Sequence, residues 1–349
     1  VAHLELEQGG GDLVGGQPIA SFAETGTLLY VRRAGARAYQ PVWVDRTGLF
    51  APVDPSWSVN PGHTTMYRGL ALSPDGNRAA IGVWGGGGYQ DFKVWIKRLP
   101  DGAFSPLATT PESQARPSWA PDGRSVAFIS AREDGTWGLV TRPVDRVAPG
   151  RQLLEDFSIW QAVWAQDSSA VALRVDPVQG TIGNTCDIGV WEPGTDSIRV
   201  VATDSDEGSL DLSPDGRWLA YESTESGRWE VYVQSFPDLE VKHPISTVGG
   251  RMPVWSHSGT ELFYVSGSRE MIAVQVTPGE EFEIGERRAL FTIDSDILVP
   301  EGENMQLYDV DVDDQRFLML RAMESGEEEV ILVIDWIEEV KRAMGGGGS

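Results

Sequence analysis

Residues 117–130 read PSWAPDGRSVAFIS: the tripeptide Pro121-Asp122-Gly123 sits between two runs that alternate apolar and polar residues. Proline presets φ, the aspartate side chain caps its own turn and glycine tolerates φ > 0, so the segment predicts a tight β-hairpin. The pattern returns as LALSPDGNRAAIGV (70–83), AVWAQDSSAVALRV (162–175), LDLSPDGRWLAYES (210–223), PVWSHSGTELFYVS (253–266) and YDVDVDDQRFLMLR (308–321), with an opening copy ASFAETGTLLYV at 20–31. With the Gly123 position as marker, the copies fall at Gly26, Gly76, Gly123, Ser168, Gly216, Gly259 and Asp314, which are 50, 47, 45, 48, 43 and 55 residues apart. A period in this range with β patterning predicts the blades of a propeller.

Each unit continues with a third run, such as Lys93 to Ile96 or Glu230 to Val233, and with a further turn signal, such as Phe236-Pro237-Asp238. A fourth, weaker run completes a four-stranded antiparallel meander. One twisted meander cannot bury both its faces, but blades packed around an axis bury each face on a neighbour. Phe22, Leu72, Trp119, Trp164, Leu212, Trp255 and Val310, four residues before each marker, fit that blade-to-blade layer. The expectation is an all-β chain forming a single propeller of seven blades, with six or eight as alternatives, over residues 1–344. The terminal GGGGS (345–349) reads as a linker. The last copy lacks an outer strand, so the N-terminal strand LELE (Leu4 to Glu7) is expected to pair there and close the ring.

The chain has 349 residues and a formal net charge of -24, from 52 acidic and 28 basic side chains. Such a balance without a Lys/Arg-rich run argues against nucleic acid. The single cysteine, Cys186, cannot form an internal disulfide, and no Cys/His spacing suggests a metal, so neither metal nor cofactor is expected. Val330 to Ile337, the longest apolar stretch, is broken by Asp335 and is far short of the roughly 20 residues of a membrane helix. No membrane insertion is expected.

The Trp-Ala-Pro-Asp-Gly and Leu-Ser-Pro-Asp-Gly repeats resemble the TolB-like, WD40-like (PD40) propeller repeats of bacteria over nearly the whole chain. The opening ETGTLLYV, PVWVDRTG (Pro41 to Gly48) and the ending VILVIDWIEEVKR (Val330 to Arg342) are similar to the C-terminal propeller of membrane-anchored bacterial serine/threonine kinases. That resemblance implies a sensing domain on the extracytoplasmic side of a signalling protein. The phosphate loop and the catalytic-loop and metal-binding aspartates of a kinase are not in this sequence.

No Gly-x-Ser-x-Gly elbow occurs, and no catalytic residue is assigned. A sharper expectation concerns the starts of the innermost strands, six to eight residues before the markers, which should ring the channel mouth. They read Arg68, Arg116, Gln161, Gly208, Arg251 and Tyr308, with His63 in the preceding loop. Three guanidinium groups around one mouth point to an anionic ligand, a carboxylate or phosphate ester. The competing reading pairs each arginine with an acid of the neighbouring blade. The glycine-rich loop Trp84 to Tyr89, aromatic at both ends, is a candidate partner-binding tip. His257 reads as a turn residue, and Asp309, Asp311, Asp313 and Asp314 read as solvated or turn-capping acids. Together these features favour a non-catalytic module that binds a protein or small ligand. An enzyme acting on carbohydrate at the channel mouth is the second reading, which a pocket with paired acids of perturbed pKa would favour. A structural scaffold is the third.

Overall fold

The computed structural model describes residues 20–22, 28–32, 38–61, 69–85, 91–132, 137–146, 148–154, 158–176, 186–277, 279, 281–299, 306–323 and 329–333. They divide into two units, 39–322 and the flanking segments. In the flanking unit, β1 (Ala20–Phe22) and β2 (Leu28–Arg32) form a sheet with a strand near the C-terminus, Glu329–Val333, in which Leu29 stands opposite Leu332.

The larger unit is a six-bladed propeller whose sheets each have four antiparallel strands. It opens with β3 (Tyr39–Asp45) and β4 (Phe50–Pro52). Blade 1 is β5 (Leu70–Leu72), β6 (Arg78–Trp84), β7 (Phe92–Arg98) and β8 (Phe104–Pro106). Blade 2 is β9 (Gln114–Trp119), β10 (Ser125–Ala131), β11 (Trp137–Pro143) and β12 (Arg151–Leu154). Blade 3 is β13 (Ser158–Trp164), β14 (Val171–Asp176), β15 (Asp187–Trp191) and β16 (Ile198–Val201). Blade 4 is β17 (Glu207–Leu212), β18 (Trp218–Ser223), β19 (Glu230–Ser235) and β20 (Lys242–Pro244). Blade 5 is β21 (Gly250–Trp255), β22 (Glu261–Ser266), β23 (Glu270–Thr277) and β24 (Glu283–Thr292). Blade 6 joins β25 (Asp309–Val310) and β26 (Arg316–Ala322) to β3 and β4. The Glu329–Val333 strand is β27.

The first strand of each blade meets the second through the repeated turn. In all six, the marker N–H donates to the carbonyl three residues before it, as Gly123 does to Ala120 at 2.9 Å and Asp314 to Asp311 at 2.8 Å. All six markers have positive φ, from 60° at Asp314 to 71° at Gly216 and Gly259. The non-glycine residues Ser168 and Asp314 adopt this left-handed conformation too, because the flanking strand pairs leave the turn no alternative.

The blade count is six, the alternative to seven, and the ring closes through a different segment from the one expected. The copy around Gly26 is not a blade: β1 and β2 belong to the separate three-stranded sheet, in which β27 pairs with β2. Blade 6 is completed by β3, where Phe317 pairs with Val44 and Met319 with Val42. Those two valines are buried on the core side of an alternating strand, which is why this segment fits the opening. The Leu4 to Glu7 segment lies outside the described residues. An N-terminal segment of the propeller still closes its ring, which leaves no sheet with a missing neighbour.

The layer four residues before each of the six blade markers is buried or half-buried at the blade interfaces. Trp119 is 7% exposed and donates its indole N–H to Ala71 O of blade 1 at 3.1 Å. Trp255 packs edge-on against Phe282, and Trp164 against Trp191. Each buried indole contributes roughly 2–3 kcal/mol of transfer free energy relative to exposure.

Candidate functional site

The six first strands surround a cavity of about 430 Å³, lined from every blade: Leu70 to Leu72, Arg116 to Trp119, Gln161 to Trp164, Leu210 to Leu212, Val254 and Trp255, and Asp309. One register position faces it. Counting five residues before each marker gives Ala71, Ser118, Val163, Asp211, Val254 and Asp309. All but Val254 are the partly open residues of largely buried strands. The ring is uneven, because Asp211 and Asp309 stand in blades 4 and 6 while four neutral residues fill the other places.

Both carboxylates are tied to main chain on the next blade. Asp211 Oδ2 accepts the Trp255 N–H and Asp309 Oδ2 the Leu72 N–H, each at 2.7 Å. Their other oxygens accept the N–H of the following residue, Leu212 at 3.0 Å and Val310 at 2.8 Å. Enclosure by protein outweighs these bonds. Burial pushes the Asp211 carboxyl up to about 8, with the Asp309 charge adding to the rise, and burial pushes Asp309 up to about 6. His257, exposed at the blade 5 turn, lies at the same mouth, and its Nε2 is 3.2 Å from Val310 O. The amide nitrogen of Gln306, also in the wall, donates to Tyr308 O at 3.0 Å, while its amide oxygen is sealed from solvent without a hydrogen-bond partner.

The residues expected at the mouth are distributed differently. Arg116 and Gln161 do line the cavity. The Arg116 guanidinium lies 5.9 Å from the Trp160 ring, and Gln161 clasps the main chain of Leu210 in blade 4, donating to its carbonyl and accepting from its N–H at 3.0 Å each. Arg251 turns to the preceding blade, with Nη2 3.3 Å from Oε1 of the fully buried Glu222 and its guanidinium over the Trp229 ring. Gly208 is buried in β17. Tyr308 is 2% exposed and donates its hydroxyl to Met252 O at 2.8 Å, which removes it from the mouth. Arg68, His63 and Tyr89 lie outside the described residues; Trp84 is half-buried at the end of β6, against a core cluster.

The physical reason for this redistribution is a bulge. Seven residues before the marker, Arg116, Ser209 and Met252 have φ of 51°, 46° and 52°, and the pairing of each first strand with its neighbour shifts register there. A bulge inserts a residue and reverses which side chains face inward. Counting by alternation fails beyond it. Asp211 lies on the turn side of the bulge in its strand and Asp309 holds the same position in blade 6, so the signal that finds them is the fifth position before the marker.

A second group of buried acids lies between blades 3 and 4. Glu207, 2% exposed, accepts from Thr203 Oγ1 at 2.9 Å and Ser223 Oγ at 3.2 Å, and burial pushes its carboxyl up to about 7. Asp187, 1% exposed, accepts the Thr203 N–H at 2.9 Å, and burial raises its pKa as well. Arg174 bridges the interface by donating to Glu207 O at 2.7 Å. Among the described residues, no group of three or more His, Cys, Asp or Glu is arranged to hold a metal ion, and no helix is long and apolar enough to cross a membrane.

A protein described as a TolB of Agrobacterium tumefaciens superposes with a TM-score of 0.61 at 17% identity, over 83% of this chain and 100% of that one. The fold is TolB-like. TolB of Acinetobacter baumannii matches at 15% identity and a TM-score of 0.49 over 85% of this chain and 67% of its own. An oligogalacturonate lyase in complex with manganese matches at 11% identity and a TM-score of 0.48 over 83% of this chain and 97% of its own. No family profile and no curated relative matches the sequence. At these identities the likeness of the TolB-like propeller is one of architecture, and fold alone does not carry function.

Proposed function

We propose that this chain is a non-catalytic binding module whose site is the mouth and interior of the central channel. The observation that carries the reading is the 430 Å³ cavity, to which all six first strands contribute. Its size falls within the range of ligand sites. The polar side chains of its wall already serve the scaffold: Asp211, Asp309 and Gln161 each hold the main chain of a neighbouring blade. A wall so fixed is suited to recognising a shape. The kinase-sensor resemblance of PVWVDRTG and VILVIDWIEEVKR supports an extracytoplasmic sensing role, with a protein segment or small molecule as the signal. The anionic ligand suggested by three arginines is weakened, because Arg251 is engaged by Glu222.

An enzyme acting on carbohydrate is the second reading, favoured by one observation: Asp211 and Asp309 are paired acids with raised pKa in one cavity. Their hydrogen bonds to main chain favour the scaffold role over a free acid and base.

The test is a thermal-shift screen of the whole chain against peptides, sugars, nucleotides and metal ions, followed by hydrogen exchange with each hit. Protection centred on β5, β9, β13, β17, β21 and β25 is expected. Hits that protect only outer strands would remove the channel from consideration, and turnover of a sugar substrate would replace the binding reading with the enzymatic one.

A further inference from the structure

We propose that the channel takes a protonated primary amine, seated on the blade 4 to blade 6 side of its wall between Asp211 and Asp309. The inference rests on the channel reading above and names the chemistry the channel selects.

Three features of the wall converge on an ammonium group. First, the ring of six equivalent positions holds two acids, one on each side of Val254, and no basic residue. Second, the hydrogen-bonding capacity left over on this side is of acceptor type. Each carboxylate offers about four lone-pair sites and gives two to main-chain N–H groups. An ammonium has three donors and no acceptor, which complements that set. Third, the rest of the ring, Ala71, Val163 and Val254 with Ser118, suits the methylene stem that carries a primary amine. Arg116 sits two residues further along its strand, and its guanidinium lies toward Trp160, on the blade 2 to blade 3 side of the ring.

Electrostatics supports the same assignment. Burial raises both carboxyls, and the charge of Asp309 further disfavours ionisation of Asp211. A cation between them relieves that repulsion and draws off a proton. The groups acting on the pair are Asp311, which raises Asp309, and His257, which lowers it. Amine binding therefore strengthens with pH from about 5 to 8 and releases protons in that range.

A free alkylamine and a lysine side chain of a peptide share this chemistry. The experiment titrates the whole chain calorimetrically at pH 7.5 with n-butylamine, with Nα-acetyl-lysine methylamide and with their neutral counterparts, n-butanol and Nα-acetyl-norleucine methylamide. Binding of either amine, with its neutral counterpart about tenfold weaker or more, is expected. Preference for the acetylated lysine over butylamine identifies a peptide as the source, and the reverse a free amine. In D211N and D309N, whose amide oxygens still accept the Trp255 and Leu72 N–H groups, affinity should fall about tenfold per site. Equal binding of neutral and charged probes overturns the proposal whether or not the variants fold. So does an inert amine when another compound protects the first strands from exchange, an outcome that leaves the channel reading intact.

Discussion

Asp309 in blade 6 accepts the main-chain N–H of Leu72 in blade 1 at 2.7 Å, so the last sheet in the chain is tied by one carboxylate to the first complete one. Removing it leaves a buried donor unsatisfied. D309A is expected to lower unfolding free energy by about 1–3 kcal/mol, and D309N by less because its amide oxygen still accepts. Urea titration followed by tryptophan fluorescence measures both.

The raised carboxyls predict how stability varies with pH. Asp211, Asp309 and Glu207 titrate near 8, 6 and 7 in the folded chain, against about 4 when unfolded. The folded state thus holds more protons between those values. Stability from these groups is complete below about pH 4 and is lost as pH rises through 6 to 8, with a limiting slope of about 1.4 kcal/mol per pH unit for one group. Asp54 acts in the opposite sense. The hydrogen bond from Lys97 holds it at about 2, so its contribution is lost as pH falls toward that value. The urea midpoint should peak at roughly pH 4–5 and decline toward pH 8. D211N and E207Q should flatten the decline.

Two turn residues with the same backbone should respond oppositely to glycine. Ser168 and Asp314 have φ of 61° and 60°. Ser168→Gly relieves a left-handed serine and should stabilise by about 0.5–1 kcal/mol. Asp314→Gly relieves the same strain but deletes a carboxylate that accepts the His257 and Ser258 N–H groups at 2.7 and 3.0 Å, so a net loss is expected. Differential scanning calorimetry of the pair separates the terms.

Arg251 and Glu222 give a further test at the interface of blades 4 and 5. R251A leaves the fully buried Glu222 with Met252 N and Ser209 Oγ as its remaining partners. A loss of about 2 kcal/mol is expected, and E222Q in the R251A background should recover part of it by removing the buried charge. A double-mutant cycle by denaturant titration reads the coupling.

The six blade turns were legible because each rests on local chemistry, and even the degenerate markers Ser168 and Asp314 occupy the predicted conformation. The closure was less so. Tyr39 to Asp45 reads as an ordinary alternating strand, and its partner, Arg316 to Ala322, lies across almost the whole chain. The opening ETGTLLYV mimics a blade hairpin, yet its second strand pairs with β27. In the channel, Arg116 and Gln161 were found from the sequence. Arg251 turns to Glu222 beside the bulge at Arg116, Ser209 and Met252, which breaks the alternation on which the count relies, whereas Tyr308 is taken by its hydroxyl's bond to Met252 O. Asp211 and Asp309 carry no motif; they become visible only when the six copies are aligned on the turn.

Ala322 pairs with Tyr39, and the sixth sheet is half made from each extremity of the propeller. During synthesis, five blades can assemble as they emerge, but the β3–β4 hairpin must wait with the other edge of β3 unpaired until residue 322 has left the ribosome. The circle is therefore completed only when the last strand of the propeller, β26, has been translated, and a polypeptide truncated before Arg316 would present β3 as an open edge.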